Sequence, residues 1–366
     1  MKNTLIIDWL DKFGGAERVI ASLDNALHFD KVYTIVNIMN SKDLTKTFPK
    51  FVGIINQTSL KIFGKRFRYA FPFFHFFINK IKIDKKTQII ISSSHAIAKG
   101  INKSSEKQLH VSYFQARNNK FIWDDFDLYF GRLKYLMLPI IQILRKIDCK
   151  QAKKPDYIVA NSIFVQKWIK KIYNRDSTVI YPPVDLEIFK LQEIKEDYYV
   201  AIGRIVPYKR FDIIVDAFNI NGKKLIIIGD GIDRIKLEKK AKQNINFTGF
   251  LDSVVINELI SKSKGFIHSG IEDFGIAPVE AQACGTPVIA LGKGGTLETI
   301  INKKTGLFFY EQTIEALNEA VNEFETLVFN PKIIRENALK FSKERYEKEI
   351  KEFVNEKYNA FKLSKL

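Results

Sequence analysis

Two carboxylates stand eight residues apart in the stretch GIEDFGIAPVEAQACGTPVIA, residues 270–290: Glu272 and Glu280, with Asp273 beside the first. The segment around them is largely apolar and reads as a strand end, a loop, a helix and a second strand. Pro278 is placed to open the helix, which puts Glu280 in its first turn. A carboxylate there stabilises the helix by itself, so Glu280 alone has a structural explanation. Glu272 has none, because it precedes the helix in a Gly-flanked loop. The backbone amides of Gly275, Ile276 and Ala277 approach the helix start, where a polar ligand can be held.

A second constellation is GRIVPYKRF, residues 203–211. It follows the apolar run YYVAIG, and Pro207 again suits a helix start. Lys209 and Arg210 then fall at the positive end of the helix dipole, where each exposed cation costs roughly 0.3–1 kcal/mol. An anion held between Arg204, Lys209 and the helix N–H groups reverses that sign, and a diphosphate fits. Arg210 is explained well enough by a chain rich in basic residues. A third is FGGAERV, residues 13–19, in which Gly14 and Gly15 after a strand let backbone come close to a phosphate. Taken alone, such a pair is often only a tight turn.

Other patterns exclude chemistries. Gly229-Asp230-Gly231 lacks the third glycine of a dinucleotide fingerprint, and no phosphate-loop sequence occurs. The five His show no zinc spacing, so no metal site is expected. Asp125-Phe126-Asp127 matches a short metal–diphosphate pattern but lies in an aromatic, acidic stretch that reads as a solvated turn.

These residues need elements to position them. LIIDW (5–9), VYTIV (32–36), IIIS (89–92), VSYF (111–114) and YIVAN (157–161) read as buried strands separated by helical stretches such as AERVIASLDNAL (16–27) and FVQKWIKKIY (164–173). The alternation pauses at 181–197, with paired prolines and scattered charge, which reads as a linker. YYVAIG (198–203), LIIIGD (225–230), INFTGF (245–250), GFIHS (265–269), PVIA (287–290) and GLFF (306–309) then continue it. The expectation is α/β: a Rossmann-like domain over 1–180, a second over 198–344, both with doubly wound parallel sheets and facing across a cleft. Ligands of such sheets gather beyond the carboxyl ends of the strands.

The composition allows this. With 366 residues, 46% hydrophobic and 27% charged, the chain can bury two cores. Cys149 and Cys284 form no framework and read as buried thiols. The N-terminal MKNTLIIDWLDKFGGAERV reads as a first strand rather than a signal peptide, and no run of eighteen apolar residues is present. A net charge of +17 implies an anionic partner: nucleic acid, acidic lipid or a phosphorylated ligand.

Taken together, Gly14-Gly15-Ala16-Glu17-Arg18, Gly203-Arg204 with Lys209, and Glu272-x7-Glu280 within EDFGIAPVEAQACGTPVIA resemble family 4 retaining glycosyltransferases. SSSHAIAKG (92–100) and EDFGI further resemble the bacterial mannosyltransferases of O-antigen and polysaccharide synthesis. The resemblance implies the two-domain GT-B fold and a nucleotide-sugar donor, GDP-mannose in that branch. It implies no cofactor and no metal, with Arg204 and Lys209 holding the donor diphosphate. Glu272 faces the transferred sugar, with Phe274 and Gly275 shaping its surroundings. Glu280 accepts from the ribose hydroxyls, Phe250 and Leu251 meet the base, and Gly14 and Gly15 close on the phosphates. Part of 345–366 returns to the first domain. One departure stands out. The branch carries a histidine after Tyr113 where this chain has Gln115, which can hydrogen-bond a hydroxyl but cannot take a proton near neutral pH. His95, after a strand in SSSH, is a candidate cleft residue with an equally good structural reading.

The segment 61–86, KIFGKRFRYAFPFFHFFINKIKIDKK, mixes basic and aromatic residues. Such a mixture serves single-stranded nucleic acid, an anionic membrane surface, or a core with a solvated basic face. The membrane surface is the favoured reading. The expected protein is cytoplasmic, held at the inner face of the cell membrane, with an acceptor glycan on polyprenyl diphosphate and no nucleic acid as partner. The competing readings are a nucleotide-sugar 2-epimerase on the same fold and a basic nucleic-acid-binding protein.

Overall fold

The computed structural model describes residues 2–131 and 134–365, apart from the side chain of Tyr129. The chain divides into two units: residues 1–183 with 344–366, and residues 184–343.

The first unit is built on a parallel sheet of β1 (Asn3–Ile7), β2 (Lys31–Thr34), β3 (Ile55–Gln57), β4 (Ile89–Ser94), β5 (Leu109–Phe114), β6 (Tyr157–Ala160) and β7 (Thr178–Val179). Their order is β3-β2-β1-β4-β5-β6-β7. Strands β1, β4 and β5 are buried along their whole length, as expected when helices cover both faces of a parallel sheet. The order reverses between β1 and β4, so the crevice at their carboxyl ends is the switch point where ligands of such sheets bind. Gly14 caps the helix Gly15–Leu27 there.

The helix Lys343–Leu363 adds its apolar face to this unit. Tyr346, Ile350, Phe353, Val354 and Tyr358 join Leu5, Val111 and Tyr113 in one core. The Tyr113 ring meets Tyr346 edge-on at 5.7 Å. Burial keeps both phenols protonated by raising them well above the ordinary tyrosine range.

The second unit's sheet holds β8 (Glu196–Ile202), β9 (Leu225–Ile228), β10 (Ile245–Gly249), β11 (Ser263–His268), β12 (Val288–Leu291) and β13 (Gly306–Phe309), in the order β10-β9-β8-β11-β12-β13. All its pairings are parallel. Its switch point lies between β8 and β11.

The stretch 181–197 is not a free linker. Glu196 and Asp197 already belong to β8. Phe189 is fully buried, and its carbonyl accepts from the Arg335 guanidinium at 2.8 Å. Lys195 donates to the Ser261 carbonyl and the Thr286 hydroxyl, and its burial lowers its pKa to about 8. The adjacent Pro182 and Pro183 break periodicity, while Val184 and Phe189 after them are buried.

Of the two cysteines read as buried thiols, Cys284 is buried, its thiol pushed up to about 12 by desolvation, whereas Cys149 is only half-buried. Asp127 is exposed and pairs with Lys134 at 2.8 Å, but it lies in the first turn of the helix Phe126–Phe130 rather than in a turn between elements.

Candidate functional site

Strand β8 ends at Ile202, and Gly203 donates its N–H to the Ile228 carbonyl at 3.0 Å. The loop after it does not start a helix at Pro207. Pro207–Lys209 form a single 3-10 turn, Arg210 sits in the left-handed region at φ 55°, and the α-helix begins at Phe211. Lys209 and Arg210 therefore precede the helix rather than fill its first turn. The Arg210 guanidinium is taken up by Asp212 and Gln312, in keeping with a structural role.

Strand β11 ends at His268, and the next residues fasten this loop. The Ser269 hydroxyl donates toward the carbonyls of Lys209 and Arg210 at 3.1 and 2.8 Å. Gly270 packs so closely that a Cβ would lie 3.1 Å from the Lys209 Cα. The result places Lys209 Nζ directly on Glu272 Oε1, both side chains largely shielded from solvent. Arg204 lies in the same loop and donates to the Tyr208 hydroxyl at 3.0 Å. His268 Nε2 stands 3.4 Å from Glu272 Oε1. Burial, only partly offset by Glu272, lowers the His268 pKa to about 4, so near neutral pH the imidazole is uncharged.

The helix after Glu272 starts at Ile276, capped by Gly275 at φ 96°, a conformation that suits glycine. Pro278 is its third residue, where a missing N–H is still harmless. Glu280 is the fifth, beyond the first turn, and is only 6% exposed. Phe274 is 2% exposed and packs edge-on against Phe341 at 5.3 Å, so its ring belongs to the core rather than to a pocket wall. Phe250 and Leu251 follow β10, two strands from β8 or about 10 Å across the sheet. Phe250 is 64% exposed.

Sequence reading missed the loop Gly292–Gly295 after β12. The Gly295 N–H donates to the Glu272 carbonyl at 2.8 Å. A Cβ on Gly294 would lie 2.5 Å from that carbonyl oxygen, and one on Gly295 2.4 Å from the Phe274 Cα. These glycines hold the Glu272 loop in place. The signal was present: a Gly-Gly pair after a strand, as at Gly14-Gly15. Gly229 and Gly231 have a similar explanation, since their Cβ atoms would strike the carbonyl oxygens of Gly203 and Ile205 at 2.0 and 2.1 Å.

In the first unit, Gln115 follows β5 and donates its amide N–H groups to the Ser93 hydroxyl at 2.7 Å and the Ala16 carbonyl at 3.2 Å. It ties the start of the glycine-capped helix to β4. His95 follows β4 and has its Nδ1 3.0 Å from Asp8. Among the described residues no cluster of His, Cys, Asp and Glu suits a metal ion.

Comparison with known proteins bears on this arrangement. Residues 185–341 match the family model described as glycosyl transferases group 1. An uncharacterized glycosyltransferase of Methanocaldococcus jannaschii is 28% identical over 228 residues, 55% of this chain and 58% of that one. The O-antigen chain mannosyltransferase RfbU of Salmonella typhimurium is 27% identical over 207 residues, 51% of this chain and 56% of that one. The chain thus spans little more than half the length of these curated relatives. The crystal structure of HepE from Anabaena in complex with UDP superposes over 97% of this chain and 100% of its own, with a TM-score of 0.66 at 17% identity. The chain has the GT-B fold, two parallel-sheet α/β domains, and resembles the group 1 glycosyltransferases, mannosyltransferases among them.

Proposed function

We propose that this protein is a retaining glycosyltransferase. It moves a hexose, mannose from GDP-mannose, onto a glycan carried on polyprenyl diphosphate, in cell-surface polysaccharide synthesis at the inner face of the cell membrane. The observation that carries the reading is the pairing of Lys209 with Glu272 at the second unit's switch point, with Arg204 in the same loop. A lysine and a glutamate that neutralise each other can be parted by a ligand offering an anion to one and hydroxyls to the other. A sugar diphosphate offers both.

In this reading Arg204 and Lys209 take the diphosphate, Glu272 the sugar, Glu280 the ribose, and Phe250 with Leu251 the base. The diphosphate's charge is met by these cations rather than by a metal. Breaking the sugar–phosphate bond leaves positive charge on the sugar and negative charge on the departing diphosphate. Cations fixed where that charge develops lower the barrier. On the front-face route the leaving phosphate accepts the acceptor's proton, without a covalent enzyme intermediate. The exposed basic and apolar side chains of 61–86 rest on anionic lipid.

Thermal shift with GDP-, UDP- and ADP-sugars tests the donor site, because a ligand that binds only the folded chain stabilises it by about 2.7 kcal/mol at a hundredfold excess over Kd. A GDP-sugar should raise the melting temperature, with or without EDTA. Lys209→Ala should abolish the rise and slow transfer by about 10²–10³. No shift with any of the three nucleotides sinks the donor site. Conversion of the donor sugar without any acceptor would point instead to an epimerase.

A further inference from the structure

Lys195 stands one residue before β8 and is half-buried, and its ammonium has three acceptors. They are the Ser261 carbonyl at 2.7 Å, the Thr286 hydroxyl at 2.9 Å and the Cys284 carbonyl at 3.2 Å. All three partner residues are buried. The Thr286 hydroxyl spends its own hydrogen on the Ile260 carbonyl at 2.7 Å, so toward Lys195 it can only accept. Three acceptors call for three N–H donors. The ammonium has three, and the neutral amine has two.

Both carbonyls belong to helix ends. Ser261 lies in the last turn of the helix Ser253–Lys262, and Cys284 caps the helix Ile276–Ala283. A cation at the carboxyl end of a helix meets the negative end of its dipole. Here one cation meets two. Phe250 and Leu251 precede the first of these helices; Glu272 and Gly275 precede the second, which also carries Glu280. The second helix is eight residues or roughly 12 Å long, so Lys195 stands clear of the groups at its start. Other contacts stiffen the junction. The Gln192 N–H shares the Cys284 carbonyl at 3.2 Å, and Arg335 donates to the Ala283 carbonyl. A Cβ on Gly285 would lie 2.5 Å from Leu191 Cδ1.

We propose that Lys195 is a positioning residue for the donor: its ammonium ties together the carboxyl ends of two helices whose opposite ends carry the donor-binding groups, and so sets donor affinity without touching the ligand. The inference rests on the glycosyltransferase reading and adds to it a residue outside the donor's reach.

The same geometry makes the tie sensitive to alkali. Burial lowers the Lys195 pKa to about 8. The groups around it do not follow. Desolvation pushes Cys284 and, from β8 itself, Tyr198 up to about 12. On the helix Ser253–Lys262 the hydrogen bond between Glu258 and Lys262 lowers the acid and raises the base. Arg335 is a permanent cation, and Glu280 stands one turn before Cys284. Between about pH 7 and about pH 9, Lys195 therefore gives up its charge and one of its three hydrogen bonds.

Calorimetric titration of the full chain at about pH 7 and about pH 9 tests this, since it reads affinity and not turnover. The ligand is whichever GDP-, UDP- or ADP-sugar gives the largest melting shift, GDP-mannose on this reading. Lys195→Arg keeps a cation at both pH values, and Lys195→Met keeps neither charge nor donor. At the lower pH, wild type and the Arg variant should bind alike. The Met variant should bind roughly three- to tenfold more weakly, the range of one net hydrogen bond. At the higher pH wild type should fall to the level of the Met variant, while the Arg variant holds. Ionisation of the nucleotide is common to all three chains and cancels in their ratios. A merely structural lysine would lower the melting temperature of the Met variant and leave these ratios unmoved by pH; that result overturns the assignment. If the Arg variant melts early, wild type is read against Met alone: a gap that closes at the higher pH upholds the role, and one that persists refutes it. If both melt early, wild type decides: weaker binding at the higher pH upholds the role, and constant binding refutes it. A wild-type chain that binds none of the three sugars removes the donor site, and this assignment with it. Binding without the pH effect removes the assignment only.

Discussion

His110 is a histidine the fold has sealed in. It lies on β5, fully buried, with Nε2 2.8 Å from the Ser92 hydroxyl and its backbone N–H on the Asp156 carboxylate at 2.7 Å. Desolvation lowers its pKa to about 3, helped by the positive field of Lys103, Lys154 and Arg175. The unfolded chain takes up this proton near the ordinary histidine value of about 6.5, well before the folded one does. Stability therefore falls as pH drops below that value and stops falling, for this group, below about 3. The urea midpoint followed by circular dichroism should be lower at about pH 4.5 than at about pH 7, and the drop should be shallower in His110→Gln. An equal drop in both proteins would assign the acid sensitivity elsewhere. At this scale the sequence was informative where charge stood against its surroundings. Glu272 in a glycine loop and Lys209, read at the positive end of a helix, both called for a partner, and the fold sets them on each other. His268 gave no such signal, because a histidine closing an apolar strand looks like any core residue.

At the scale of elements, strands were legible and helix starts were not. Long apolar runs between polar stretches reveal a buried parallel strand whatever its register. A proline marks only the neighbourhood of a helix start. Pro207 opens a single turn, and Pro278 lies inside a helix that Gly275 caps. Segment 61–86 shows the same division. Its composition could not say which aromatics are core, and the fold separates them. Phe67 and Phe74 are buried and stack at 6.0 Å, whereas Ile62, Phe63, Tyr69, Phe73 and Phe76 are exposed. Lys61, Lys65 and Arg66 are exposed beside them. No described helix is long and apolar enough to cross a membrane. A lipid surface suits this mixture, each cation near it contributing about 1 kcal/mol. The chain should cosediment with vesicles containing phosphatidylserine and less with neutral ones. Replacing Ile62, Phe63 and Tyr69 by Ser should weaken that binding, and added salt should weaken it further. Equal retention by neutral vesicles would discount the electrostatic part.

At the scale of the molecule, one helix sets the architecture. Helix Lys343–Leu363 completes the core of a unit whose other residues end at Pro183. Val354 is 1% exposed in that core. Val354→Asp should destabilise the first unit by at least the 2–5 kcal/mol typical of large core losses, about enough to unfold a marginal domain. In limited proteolysis of the full-length variant, cuts should concentrate in 1–183, while a GDP-sugar still protects 184–343. Even digestion of both units would mean that they fold as one. A charge of +17 told of an anionic partner without placing it, because lysines on every surface answer equally to phosphate and to lipid.

The returning helix also bears on how the chain is made. Translation delivers residues 344–366 only after the whole of 184–343 has been synthesised. Until then the earlier-made sheet lacks its cover, and the apolar floor that Ile350 and Phe353 will occupy stays open. On the ribosome the later domain can finish first, while the earlier one waits in a state that chaperones recognise.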